Sequence, residues 1–224
     1  MQELPNYLFN DTREGWIEGE GRESVCWWTG ASLVGGVSWD QGNGRPRAVW
    51  SGSAAELDRG GMFEADPRTW SARGWAALEG VCGRIRAEGA ESGIGEVWIR
   101  PHARHVLSDV PSCSRFAREW CGAESGPTRF RLLWDPASML TREMVEGGAA
   151  DDHLKRLYGA LESPSLAGAA AAVIVANVTL DEGRGGLRAS PIEVGMLDGR
   201  MIEEFGLAAT GAGLAIVTFR GENA

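Results

Sequence analysis

From Asp66 to Phe219 the chain alternates segments of helical period with short apolar runs, and this alternation restricts the fold more than any other feature. Asp66 is a suitable N-cap and Pro67 a suitable first helical residue. Trp75, Leu78, Val81, Cys82 and Ile85 then recur at helical spacing, and Gly89 offers a stop. The strand Glu96–Arg100 follows, then a helix from near Pro111, with Asp109 ahead of it and Phe116 and Trp120 one turn apart. Arg129–Trp134 reads as the next strand, and a helix is predicted from about Asp151 to Leu161, with Leu154, Leu157, Tyr158 and Leu161 on one face. The run Ala170–Val178 is small and apolar throughout, as expected of a strand buried on both faces. A short strand near Pro191–Val194, a helix over Met201–Ala209 and a strand over Gly213–Phe219 complete the pattern. Alternation of this kind marks a parallel α/β fold.

Residues 1–65 follow a different rule. They are rich in Gly and Trp, with β-like stretches at Ser24–Trp28, Leu33–Trp39 and Arg47–Trp50 and no helical period between them. Counted generously, the chain holds eight strand candidates but only four or five helices. A complete (β/α)₈ barrel takes about 250 residues, and this chain has 224. The expected fold is therefore a single α/β domain over 1–224, a TIM-type (β/α) barrel short or incomplete at its N-terminal side. A doubly wound sheet is the rival, but no βα turn carries the glycine fingerprint of a dinucleotide site, so no nucleotide cofactor is expected.

Composition narrows the function. The net charge is −9 and no Lys/Arg cluster exceeds two or three residues, which argues against nucleic acid and anionic membranes as partners. The longest apolar run, Leu166–Val178, is too short to span a bilayer, and the first residues show no apolar signal core, so a cytoplasmic location is expected. Lys155 is the only lysine and lies on the polar side of a predicted helix, which removes a Schiff-base mechanism. Cys26, Cys82, Cys113 and Cys121 form no CxxC pair and read as free thiols.

In parallel α/β folds chemistry gathers at the C-terminal ends of the strands. The strand EVWIR ends in Arg100-Pro101-His102, with Arg104, His105 and Asp109 just beyond. The strand RFRLLW ends in Asp135-Pro136-Ala137-Ser138, and AVIVAN ends in Asn177. His102 and His105 have the chemistry of a general acid–base or ligand pair, or of loop histidines satisfied by backbone. Asp135 suits proton transfer, or pairs structurally with Arg100 across neighbouring strands. Arg100 is then that partner or an anion clamp. Asp151 and Asp152 read as helix caps, His153 as solvated and Glu193 as a surface residue.

The succession IRPHARHVLSD, LLWDPASML, PIEVGMLD and a terminal GLAIVTF strand resembles the order of motifs in the xylose isomerase-like TIM-barrel family. That family includes sugar-phosphate isomerases, epimerases and endonuclease IV-type proteins, and the resemblance covers roughly Glu96 to Phe219. It implies a divalent metal (Mn, Mg, Co or Zn) held by Glu, Asp, His and Glu at successive strand ends. Carried over residue by residue, the Glu of Glu-Pro-His falls on Arg100 and the final Glu on Thr218, and the His of the intervening strand falls near Ala176 or Asn177. Asp135 matches the metal-binding Asp, with His102 as companion. One carboxylate beside a fixed positive charge makes a poor site for Mn²⁺ or Mg²⁺.

The first expectation is thus an isomerase or epimerase moving a proton next to a carbonyl of a sugar or sugar phosphate. Asp135 or His102 would be catalytic, and Arg100, Arg104 and His105 would hold substrate. The second is a non-catalytic relative that binds carbohydrate or serves as a subunit, and the third a metal-dependent endonuclease. An incomplete barrel would expose sheet edges, so a homodimer is expected to cover them.

Overall fold

A computed structural model describes residues 6–9, 16–19, 24–32, 47–55, 61–92, 95–122, 128–181 and 186–219, with side chains from Ala48 onward except at 88–92 and 219. The strands of the ring are β1 (Asn6–Phe9), β2 (Trp16–Gly19), β3 (Ser24–Ser32), β4 (Arg47–Trp50), β5 (Glu96–Arg100), β6 (Arg129–Trp134), β7 (Ala170–Val175) and β10 (Ala215–Phe219). They pair in the order β1-β10-β7-β6-β5-β4-β3-β2 and close on themselves as a barrel. Two further strands, β8 (Asn177–Asp181) and β9 (Gly186–Ser190), form a separate antiparallel hairpin.

The barrel departs from a regular (β/α)₈ ring where the sequence lacks helical period. β2 runs antiparallel to both β1 and β3, while every other neighbouring pair is parallel. The reason is chain length. Residues 10–15 and 20–23 separate these strands, and a parallel return needs a dozen or more.

Helices follow the remaining strands: α1 (Ala72–Ser92), α2 (Val110–Trp120), α3 (Arg142–Glu146), α4 (Ala150–Gly159), α5 (Pro164–Ala169) and α6 (Gly199–Gly211). Phe130 on β6 meets Phe116 and Trp120 of α2 edge-on, with centroids 6.2 and 5.8 Å away. Even-numbered residues of β6 therefore face the helices, and Arg131, Leu133 and Asp135 face the interior. Strand register carries this assignment round the ring. Trp50 pairs with Arg100, Ala48 with Trp98 and Trp98 with Arg131, all pointing inward. Leu133 lies beside Ala172, and Ala172 beside Ala215, so alanines on one arc make room for tryptophans on another. On the helix side Val97, Ile99, Leu132, Trp134 and Val173 are sealed as completely, which is why these strands read as continuous apolar runs.

Several boundaries differ from expectation. Asp66 caps as predicted, accepting from Arg68 N, but it caps a 3₁₀ turn over Pro67–Trp70, and α1 then begins at Ala72 and runs through Gly89 to Ser92. The run Ala170–Val178 splits at Ala176 because the chain leaves the ring there to start the hairpin. The short strand placed near Pro191–Val194 is instead β9, five residues earlier, and 191–198 is loop and cap. Asp151 and Asp152 stand in the first turn of α4 without capping it, since Ala149 occupies the N-cap. His153 is half-buried, its Nε2 sealed without a partner, and burial lowers its pKa. Glu193 is exposed, as expected. Cys82 and Cys113 are buried free thiols whose pKa burial raises, and the same cause pushes Cys121 up to about 12. The strand expected over Leu33–Trp39 lies outside the described residues. Among those described, no helix is long and apolar enough to cross a membrane.

Candidate functional site

The C-terminal ends of β4, β5 and β6 meet at one side of the barrel mouth, and their register sets inward-facing residues side by side. Arg100 ends β5 and Asp135 follows β6, both facing the interior and 2% and 0% exposed. Arg100 Nε donates to Asp135 Oδ2 at 2.5 Å, and its Nη2 forms an ion pair with the same oxygen. Nη2 also donates to Ser138 Oγ at 3.1 Å, and Ser138 Oγ donates in turn to Asp135 Oδ2 at 2.5 Å. Asp135 Oδ1 accepts from Ser138 N at 3.2 Å. The guanidinium lies over the Trp50 ring, 4.1 Å from its centroid, within the range of a cation–π contact.

Local sequence explains half of this arrangement. In Asp135-Pro136-Ala137-Ser138 the aspartate accepts from the backbone N–H three residues on, as a capping side chain does, and the 3₁₀ turn Ala137–Met139 follows. Strand neighbourhood explains the other half, because β5 and β6 are hydrogen-bonded partners and bring Arg100 to the carboxylate. Both oxygens of Asp135 are occupied by protein donors. Removing either partner would strand a buried charge, at a cost of about 3–5 kcal/mol.

The two histidines have separate surroundings. His105 is fully buried, and its Nε2 donates to the Met62 carbonyl at 3.0 Å while Nδ1 has no partner. Burial is the main cause holding its pKa at about 3, with the Arg100 charge acting the same way and the bond to Met62 opposing. His105 is therefore a neutral structural imidazole, packed 5.4 Å from both Trp50 and Phe63 and 4.8 Å from His102 by ring centroids. His102 is 6% exposed and accepts from Arg104 N through Nδ1 at 3.0 Å. The loop holding both is tied down by Ala103 N to Ser138 O and Val106 N to Gly52 O, each 2.9 Å.

Beside the Arg100–Asp135 pair is a narrow cleft. Its walls are His102, Ala103 and Arg104 from the loop after β5, Ala137, Ser138 and Leu140 from the turn after β6, and Leu187, Arg188 and Ala189 from β9. The Arg104 side chain is 24% exposed, and its nearest carboxylate, on exposed Glu143, is 3.9 Å away. Arg188, exposed on β9, also borders the cleft. A wider groove of about 310 Å³ lies on the outer surface between α4 and α6, lined by Tyr158, Leu161, Phe205 and alanines together with Lys155 and Glu162.

The structure thus brings four of the expected site residues, Arg100, His102, Arg104 and Asp135, to one place, and puts His105 behind them in the packing. Ser138 and Arg188 complete the cleft. Arg188 was not foreseen because its strand was placed at Pro191–Val194. The alternation Leu187-Arg188-Ala189 was the available signal.

These residues do not fit a divalent metal. Among the described residues, the buried carboxylate there, Asp135, has both oxygens taken and a guanidinium against it. Among the described residues no three His, Cys, Asp or Glu side chains gather where they could share an ion.

No protein-family model matches the chain. No curated protein matches it either. Among solved structures, one that it resembles is a xylose isomerase-like TIM barrel protein from Mycobacterium smegmatis in complex with magnesium. The two share 12% identity over 80% of this chain and 56% of the other, with a TM-score of 0.39. The chain therefore spans little more than half of that neighbour's length, and the assignment of a barrel rests on the strand pairings described above.

Proposed function

We propose that the chain binds a small anionic molecule of the sugar-phosphate class at the mouth of its barrel, and that Asp135 takes no part in proton transfer. The observation that carries this reading is the gathering of Arg104, Arg188, Ser138 and His102 about one cleft, whose own volume is only about 10 Å³. Arg104 and Arg188 stand at its rim, the Ser138 hydroxyl and His102 line its wall, and the cation–carboxylate pair behind them is already neutralised. Two guanidinium groups suit a phosphate because each offers a planar fork of donors to its oxygens. Both Asp135 oxygens already accept from Arg100 and Ser138, so neither is left over for a bound molecule.

A second reading, isomerase or epimerase chemistry next to a carbonyl, is favoured by one placement: His102, the only imidazole lining the cleft. The two are separated by one pair of measurements. Calorimetric titration with glucose 6-phosphate, with glucose as control, should show binding of the phosphate ester alone, weakened roughly tenfold or more in Arg104→Ala or Arg188→Ala, as expected for loss of a charge-assisted bond. Incubation of the same ester in deuterated water should give no exchange at the carbon next to the carbonyl. Exchange abolished by His102→Gln would establish the enzyme reading instead. Failure of the wild-type chain to bind any phosphate ester would overturn the first.

A further inference from the structure

Asn177 opens β8 where the chain leaves the barrel, and it is 2% exposed. Its amide is wholly engaged with backbone. Nδ2 donates to Ile192 O and Leu197 O, both at 3.0 Å, while Oδ1 accepts from Val178 N at 2.8 Å and Leu197 N at 2.9 Å. Four bonds is the full capacity of this side chain. The loop it gathers closes tightly, since a Cβ on Gly195 would lie 2.2 Å from Asn177 Oδ1. Met196 N adds a bond to Val178 O at 2.9 Å. Asn177 and Ser190 are register partners at the base of the β8–β9 hairpin, so the fold of this loop fixes the base of both strands.

A two-stranded hairpin has little stability of its own, so its orientation must come from what holds its base. β9 also packs on the turn over Ala137–Met139 and delivers Arg188 to the cleft. We infer that Asn177 is a positioning residue for the mouth: it latches the β8–β9 hairpin so that Arg188 enters the cleft already holding Arg104. This inference rests on the anion-binding reading of the cleft. It assigns a role to a side chain that touches no ligand.

The test uses inorganic phosphate as probe and the full chain. Asn177→Asp keeps the shape and loses both donations. It should weaken phosphate binding about as much as Arg188→Ala, roughly tenfold or more for a charge-assisted bond. Combined with Arg188→Ala it should add nothing, whereas combined with Arg104→Ala it should add its full effect. A merely structural residue would add its loss in both backgrounds, and that result would overturn the inference. Hydrogen exchange reads the latch without any ligand: amides of Gly186–Ser190 should exchange faster in Asn177→Asp, with β5 and β6 unchanged. Unchanged hairpin exchange refutes the role of Asn177, while a wild-type chain that binds no phosphate refutes the reading of the cleft. Should Asn177→Asp fail to fold, Gly195→Ala presses on the same amide from the loop side and carries the same expectations.

Discussion

At the scale of single residues, His105 gives the sharpest prediction. Its folded pKa of about 3 lies below the ordinary 6.5, so between those values the unfolded chain binds a proton that the folded chain refuses. Stability is then full above pH 6.5 and falls as the pH drops toward 3, by up to about 1.4 kcal/mol per pH unit from this group. Urea unfolding at pH 7 and pH 5 should show the loss, and His105→Phe should reduce the difference between the two. A variant that keeps the full difference would show that another group sets it. The site was legible to the same depth. A strand ending in Asp135, another ending in Arg100 and the option that they pair are all visible in the sequence. The pairing geometry itself is invisible there, because it depends on Ser138 folding back to donate to the remaining acceptor positions of Asp135.

At the scale of elements, the entry to α1 is as tightly fitted as any in the molecule. A Cβ on Gly74 would lie 2.2 Å from the carbonyl oxygen of Thr69, in the 3₁₀ turn that Asp66 caps. Gly83, on the same helix, meets nothing within 4 Å. Gly74→Ala should therefore lose roughly 1–3 kcal/mol to overpacking, although alanine is the better helix former. Gly83→Ala should gain about 0.5–1 kcal/mol from propensity alone. Urea midpoints of the two variants check the pair of signs, and a stabilised Gly74→Ala would mean the turn yields. Elements buried on both faces, such as β5, β6 and β7, were legible because burial leaves an unbroken apolar run. The hairpin was not: Asn177 and Val178 follow the apolar run of β7 without a Gly or Pro break, and no local rule marks Ala176 as the point where the chain turns out of the ring. Short helices α3 and α5 lack the length for a periodic signal.

For the whole molecule, closure of the ring depends on pairing between the first strand and the last, Asn6 with Ile216 through Phe9 with Phe219. The barrel was legible from strand count and alternation, but the reversed β2 was not, since strand direction leaves no mark on composition. Every strand of the described ring has two neighbours, so the expectation drawn from exposed edges does not apply to the ring. Removing residues 1–9 should create such edges on β10 and β2. Light scattering should then show self-association of the truncated chain and a smaller species for the intact one; equal masses would mean that β1 does not seal the ring. The same pairing has a consequence for synthesis. The ribosome releases β1 long before β10 exists, and at about 5–20 residues per second the wait is roughly 10–40 s. Throughout that interval the ring cannot close, so the time before its last edge is sealed is set by the position of the final strand in the message.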